Sequence, residues 1–417
     1  MSLTTRRILV FGLVVSGLAV GTWGVVKFAQ GYRLDLTKKN LQLQATGLLV
    51  ATSDPDGAQV WIDGKLKTAT NNTINLQPGE YGVEIKKDGF WPWKKQLVLK
   101  KELVTQAEAY LFTAFPDLRG MTFTGAEEPK LSPDGQKIAY RVTNTSTANQ
   151  GIWVLDLVDR PLGLNREPRQ VLANPTANYR WTPDSKQLIV TLDKEIFLAE
   201  VTRLNTPKNM TNITLTLASL EEEWQTEAKV KNEAKMAKLP EPLREILRQK
   251  ADEIVFSPDE TKVMYTATAS ATIPENLLPP LPTASTQEQS RQIEKAKIYV
   301  YDLKEDRNFF ITEAPSGGGP TPTPTLKKQT QLVNSLNSLN KLIINNKVIW
   351  FPTSKHIFVL QSDKISIGEY DGANWIDVYT GPFVNGFAFP FPSGGRIVVL
   401  TSLGKETPTN LYAIGLK

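Results

Sequence analysis

Residues 130–140 read KLSPDGQKIAY, residues 180–190 read RWTPDSKQLIV, and residues 255–265 read VFSPDETKVMY. All three follow one plan. An apolar stretch runs into Ser/Thr-Pro-Asp, a small or polar residue and Lys follow, and apolar residues then alternate. Ser or Thr fits the first turn position, Pro presets φ at the second, and Asp accepts local hydrogen bonds at the third. Asp134, Asp184 and Asp259 therefore read as turn formers. Weaker copies are IWFPTSKHIFV at 349–359 and FPFPSGGRIVV at 389–399.

A third strand follows each hairpin, at 151–157, 195–201, 297–303, 364–370 and 410–416. A fourth, more polar strand follows four of them, at 169–174, 208–214, 308–313 and 375–381. Each unit is a meander of strands A, B, C and D, the unit of a β-propeller blade, and five are expected. The fifth lacks its D strand at Lys417, so an exposed edge needs a partner. Residues 118–124, LRGMTFT, have the right polar-apolar character and are expected to close the ring. The fold class is all-β, with the propeller over 118–417. These repeats resemble those of TolB-like and WD40-like propellers at the level of the Ser-Pro-Asp-Gly turn. The resemblance implies a fold and leaves function open.

Three insertions interrupt the meanders. Residues 215–252 carry a charged helix with Trp224, a capping box at Ser219 and Glu222, and a second short helix with Leu243, Ile246 and Leu247 on one face. Residues 268–295 are rich in Pro and Thr, and 314–345 open on APSGGGPTPTPT. All three are B–C or D–A connections. In a meander these lie at one end of the sheets, so the insertions are expected to crowd one face of the disc as a partner-binding surface.

Residues 46–113 form a second, smaller β region. Asp56-Gly57, Asp63-Gly64 and Asp88-Gly89 are turn signals, and Pro78-Gly79 reads as a type II pair. The spacing predicts about six short strands in a small sandwich. SDPDGAQVWIDGK and LQPGEYGVEIKKDGFWPWKKQLVL resemble a PEGA domain, with the signature split between Pro55-Asp56-Gly57-Ala58 and Pro78-Gly79-Glu80-Tyr81. It departs at Thr68-Ala69-Thr70-Asn71, where Gly-x-Thr-Pro is usual. The resemblance implies a module of envelope proteins. Trp91 and Trp93 are candidate stacking residues for a sugar or partner chain, but core rings in so small a domain explain them more simply.

Residues 8–26, from Ile8 to Val26, carry no charge and are long enough to span a bilayer as a helix. Arg6 and Arg7 precede them, so residues 1–7 are expected in the cytoplasm, 8–29 in the membrane and the remainder outside, with 30–45 as a linker. A cleaved signal peptide is the competing reading, and the run at Val26-Lys27-Phe28 is a poor cleavage site. Gly17 and Gly21 form a GxxxG pattern through which two anchors would form a homodimer.

The chain has 417 residues, a net charge of +5 and no cysteine. That excludes disulfides, thiolate metal sites and a cysteine nucleophile. The basic excess is spread out, so nucleic acid is not an expected partner. The one histidine, His356, reads as a strand-end residue. No cofactor or metal site is expected. The expected function is non-enzymatic binding of a protein or cell-wall polysaccharide at a membrane surface. A carboxylate glycosidase using Glu127, Glu128, Asp252 and Glu253 is one alternative, and a structural envelope spacer is another.

Overall fold

The structure is a computed structural model. It describes residues 3–29, 33–35, 42–44, 46–143, 145–158, 167–279, 281, 285–314, 348–361, 363–384, 386–404 and 407–417. The chain divides into two compact units, Met1–Leu111 with Pro280–Gln287, and Phe112–Pro279 with Glu288–Lys417.

In the first unit, helix α1 covers Leu3–Ala29, 27 residues. Its stretch Val10–Lys27 is apolar, long enough to cross a membrane, and nowhere buried. The side chains of Arg6, Arg7 and Ile8 lie outside the described residues, as does most of 30–45. Strand β1 (Arg33–Asp35) pairs antiparallel with β2 (Gln42–Gln44). Then come β3 (Gly47–Asp54), β4 (Gln59–Ile62), β5 (Lys65–Ala69), β6 (Asn72–Leu76), β7 (Gly79–Lys86), β8 (Trp93–Leu99) and β9 (Val104–Tyr110).

They form the expected sandwich from sheets ordered β6-β3-β9 and β5-β4-β7-β8. Alternate residues point inward, so Leu49, Val60, Ile85, Trp93 and Leu99 share its core. Asp63 and Gly64 both have positive φ, 48° and 73°, the geometry of a tight hairpin turn. Pro78-Gly79 differs from expectation. Gly79 is not left-handed but opens β7 and pairs with Leu99, so the ladder takes it. Residues 280–287 also count with this unit, and the Gln287 amide donates to Gln96 O on β8 (2.8 Å).

The second unit opens with β10 (Leu118–Gly120). The first sheet is β11 (Glu127–Leu131), β12 (Lys137–Val142), β13 (Gly151–Asp156) and β14 (Arg169–Leu172). The second is β15 (Asn178–Trp181), β16 (Gln187–Leu192), β17 (Glu195–Glu200) and β18 (Thr211–Asn212). Helices α2 (Leu217–Met236) and α3 (Glu241–Lys250) follow. The third sheet is β19 (Ala251–Phe256), β20 (Lys262–Ala267), β23 (Lys297–Asp302) and β24 (Arg307–Glu313). The short pair β21 (Ala271–Thr272) and β22 (Gln292–Ile293) lies between β20 and β23 in the chain. The fourth is β25 (Val348–Trp350), β26 (His356–Leu360), β27 (Lys364–Glu369) and β28 (Ile376–Thr380). The fifth is β29 (Ala388–Pro390), β30 (Arg396–Thr401) and β31 (Asn410–Gly415), with β10 at its edge. Among the described residues these are five four-stranded antiparallel sheets of a β-propeller. All but Ala314 of the third insertion lies outside the described residues.

The turns behave as their chemistry dictates. Ser132, Thr182 and Ser257 donate to Asp134, Asp184 and Asp259 Oδ1 (2.5, 2.6 and 2.6 Å). The same Oδ1 accepts the N–H two residues on (3.0, 3.1 and 3.1 Å). The hydroxyl oxygen accepts the N–H five residues on (2.9, 3.1 and 3.0 Å). The ring closes as expected: Leu118, Arg119 and Gly120 pair with Ile414, Ala413 and Tyr412. The first and fifth sheets then share one core that includes Ile138, Tyr140, Phe389, Val398 and Leu411. Helix α2 begins at Leu217 after Thr216, without a side-chain cap. Ser219 thus stands inside the helix and the expected capping box is not the helix start.

Candidate functional site

Neighbouring sheets are fastened at two repeated positions. Trp181 Nε1 of the second sheet donates to Lys130 O of the first (2.9 Å), and Ser185 Oγ accepts Asp134 N–H (3.0 Å). Between the fourth and third sheets the same ties are Trp350 Nε1 to Val255 O (2.9 Å) and Asp259 N–H to Ser354 Oγ (3.1 Å). The later sheet supplies an indole and a turn serine to the earlier one.

The third sheet departs from this rule. Its residues at the two positions are Phe256 and Glu260. Phe256 packs into a core built with the helices, and Glu260 binds Lys235 (3.0 Å) and Lys238 of the α2 end. At the other end of α2, Glu221 pairs with Arg180 of the second sheet. Tyr179 and Trp181, which flank Arg180, pack against the first sheet, so strand alternation puts Arg180 on the opposite face. The α2–α3 hairpin therefore touches the face of the second sheet turned away from the first. It also covers the face of the third sheet turned away from the fourth. It stands where direct packing of sheet on sheet occurs elsewhere in the ring.

The second insertion joins the same wall. Met236, Leu239, Leu243 and Leu247 of the hairpin share one core with Ile273 and Ile293 of the insertion and with Val263, Tyr265, Tyr299 and Tyr301 of the third sheet. The opposite side of that sheet, Met264, Ile298 and Val300, packs on Trp350 and Ile357 of the fourth. Buried Asp306, in the turn between β23 and β24, accepts from Arg291 (3.2 Å), Leu277 N–H (3.0 Å) and the Tyr301 hydroxyl. These charge-assisted bonds tie the insertion to the sheet.

The helical and Pro-rich insertions thus gather, but on the flank of the third sheet and not only at one end. Lys235 and Lys238 reach the tight-turn end at Glu260, and the Asp306 latch is also at that end. The physical reason is length: a 20-residue helix extends about 30 Å, more than the ~20 Å of a six-residue strand. Along α2 the residues facing water include Glu222, Glu223, Glu227, Lys229 and Lys231, acidic first and basic later, which suits the helix dipole. Trp224 is half-buried among them.

Glu260 carries the electrostatic weight of the latch. Hydrogen bonds from Lys238 and Lys235 hold its carboxyl below the usual carboxylate range. A carboxyl depressed in the folded state stabilises it above the unfolded value of 4.5. That stabilisation is lost as pH falls through the folded value. Glu260→Gln is expected to speed amide exchange in the last turn of α2 at neutral pH and to leave little further change on acidification. Exchange rates equal to the parent at both pH values would refute the latch. The effect on global stability is small, because exposed ion pairs are screened by water and contribute little.

The residues singled out from sequence separate clearly. Trp93 is buried in the sandwich core, whereas Trp91, ahead of the strand, is 42% exposed. Glu127 accepts from Thr143 (2.5 Å), Glu128 pairs with Arg141 (2.9 Å) and Glu253 accepts from Thr266 (3.1 Å). Glu128 and Glu253 sit with φ 45° and 53° where β11 and β19 shift register, and Asp252 is exposed beside the second shift. Nearby Lys130, in β11, donates to Tyr179 O (2.6 Å). Burial pushes its ammonium down in pKa, Glu128 opposes this, and Arg141 and Arg180 add to it. Val26, Gly17 and Gly21 lie on α1, and nothing stands within 4 Å of where a Cβ on either glycine would be. His356 is buried, its Nδ1 2.8 Å from the Thr353 hydroxyl. Sequence reading missed Arg180, Glu260, Arg291 and Asp306. Glu260 was detectable, since it replaces the turn residue that is Ser185 in the second repeat and Ser354 in the fourth.

Residues 46–112 match the PEGA domain family model. No curated protein matches the chain. Among solved structures, the chain is similar to TolB from Acinetobacter baumannii, with 14% identity and a TM-score of 0.21, over 81% of this chain and 60% of that one. It is also similar to the β-propeller domain of the Trilobed protease from Pyrococcus furiosus, with 12% identity and a TM-score of 0.20, over 89% of this chain and 98% of that one.

Proposed function

We propose that the chain is a single-pass membrane protein, N-terminus in the cytoplasm, whose two β units stand on the outer side and bind a protein or cell-wall polysaccharide without chemistry. The observation that carries this reading is α1, whose apolar stretch Val10–Lys27 finds no burial in the protein and so needs another apolar medium. Arg6 and Arg7 ahead of it set the orientation. The PEGA match agrees with an envelope setting. Carboxylates at 127, 128 and 253 engaged by Thr143, Arg141 and Thr266 support binding over hydrolysis. The binding surface is the wall on the third sheet, where two insertions share one core on a rigid scaffold.

The expected result of membrane fractionation is full retention after an alkaline wash, with release when residues 1–29 are deleted. Protease added to intact cells, or to cells opened only at any outer membrane, should cleave the β units. A photo-crosslinker at Trp224 or Lys229 should trap a defined partner in those cells. Release of the intact chain by alkali would end the anchor reading. A wall that traps nothing, while sites elsewhere on the propeller do, would end the assignment of the binding surface.

A further inference from the structure

We infer that helix α2 is a self-association surface, whose outward face pairs antiparallel with α2 of a second copy of this chain. The inference rests on the reading above of an anchored protein that binds through this wall, and it names the partner. Leu220, Trp224 and Ala228 turn toward the propeller and are half-buried, and Met236 is buried. Glu222, Glu223, Lys229 and Val230 stand three and four residues from Thr226, and all five are exposed on the opposite side of the helix. Val230 is 64% exposed, a large apolar side chain in water on a charged helix.

The charges of α2 divide into matched and unmatched. Glu221 is taken by Arg180, Glu227 by Lys231 (2.7 Å), Glu233 by Arg248 and Lys235 by Glu260 (3.0 Å). Among the described residues, the side chains of Glu222, Glu223 and Lys229 make no ion pair. These three share the outward face. The two carboxylates lie about one turn before Thr226 and the ammonium about one turn after it.

That order makes the face complementary to itself. A two-fold axis at Thr226 sets a second α2 antiparallel to the first, and Glu222 of each copy then faces Lys229 of the other, giving two ion pairs by symmetry. Val230 of each copy packs on the aliphatic stem of the other's Glu223. Thr226, at the crossing, already donates its hydroxyl to Glu222 O of its own helix (2.9 Å), so covering it strands no donor. A parallel pair would set like charges side by side. One face of a helix about 30 Å long is small beside the roughly 1,200–2,000 Å² of a stable interface. The contact therefore depends on two anchors sharing one bilayer, which raises the effective concentration of one copy for the other.

The absence of cysteine permits a direct test on the full chain in its own membranes. Thr226→Cys puts one thiol at the axis, and Ser393→Cys, exposed in a tight turn of the fifth sheet, is the control. Under mild oxidation the chain with Thr226→Cys is expected to give severalfold more disulfide-linked dimer than the control. Adding Glu222→Lys or Lys229→Glu alone should cut that yield severalfold, and adding both should restore it, since the exchanged charges again match. A yield at 226 no higher than at 393, or one that ignores the single reversals or is not restored by the double, would overturn the self-pairing. A photo-crosslinker at Lys229 that traps a different protein while Thr226→Cys stays monomeric would overturn it too, and leave the wall's binding role standing. An alkaline wash of the same membranes reports on the anchor separately: release of the chain would overturn the anchor reading and the membrane-held pairing with it.

Discussion

Leu243→Ala with Leu247→Ala is expected to detach the helical hairpin and loosen the ring between the second and third sheets. Both leucines are fully buried, one turn apart on α3, against Tyr265, Tyr299 and Tyr301. Truncating a buried leucine costs about 2–5 kcal/mol per site, and neighbours in one core couple, so the pair costs less than the sum. Among the described residues it is the hairpin, not the second sheet, that shares the core of the third sheet on that side. Hydrogen exchange should show lost protection across α2, α3 and β20, with the first and fifth sheets spared. A variant that melts like the parent and keeps α3 protected would mean that the hairpin merely decorates a ring closed by other contacts. The second insertion provides an internal check. Because Ile273 and Ile293 share the same core, protection at β21 and β22 should fall with that of the helices.

Asn410→Ala should weaken ring closure. Its Oδ1 accepts from Thr122 Oγ1 and from Gly125 N–H, all three residues being buried. Removing the acceptor leaves two buried donors, each costing about 1–3 kcal/mol. The loss falls on the seam that joins the start of the propeller to its end, where β10 is otherwise held by its ladder with β31 and by backbone bonds such as Met121 N–H to Leu411 O (2.8 Å) and Gly415 N–H to Asp117 O (3.0 Å). The expected result is a lower melting temperature and fast exchange at Leu118–Gly120, while β30 and β31 stay protected. Unchanged exchange at β10 would show that backbone pairing alone holds the seam. The substitution leaves the wall on the third sheet untouched, so partner capture there should persist at temperatures where the seam still holds.

The legible parts of this protein are those written in local chemistry. Ser-Pro-Asp recurs because its hydroxyl, ring and carboxylate satisfy one tight turn by themselves, and Asp63-Gly64 marks a hairpin because its two residues tolerate positive φ. Neither case needs a distant partner. Trp91 and Trp93 show the limit of the same reasoning. Period-two spacing would put both on one face, but only Trp93 lies within β8, and the chain before Pro92 is not strand. Pro78-Gly79 shows it too, since a glycine suited to a turn was drawn into a ladder. The candidate wall was half legible: the insertions and their helices stood out in composition, and their flank did not.

Periodicity along one chain reports which residues turn inward, and that was enough to indicate a membrane-length apolar segment, a small sandwich and a ring of meanders closed by residues 118–124, of which Leu118–Gly120 form the pairing strand. Tertiary structure alone decided which neighbour each inward face meets. Phe256 is as apolar as Trp181 and reads the same in sequence, yet one packs under helices and the other on a sheet. Burial is a property of pairs of surfaces, and a single sequence records only one surface at a time.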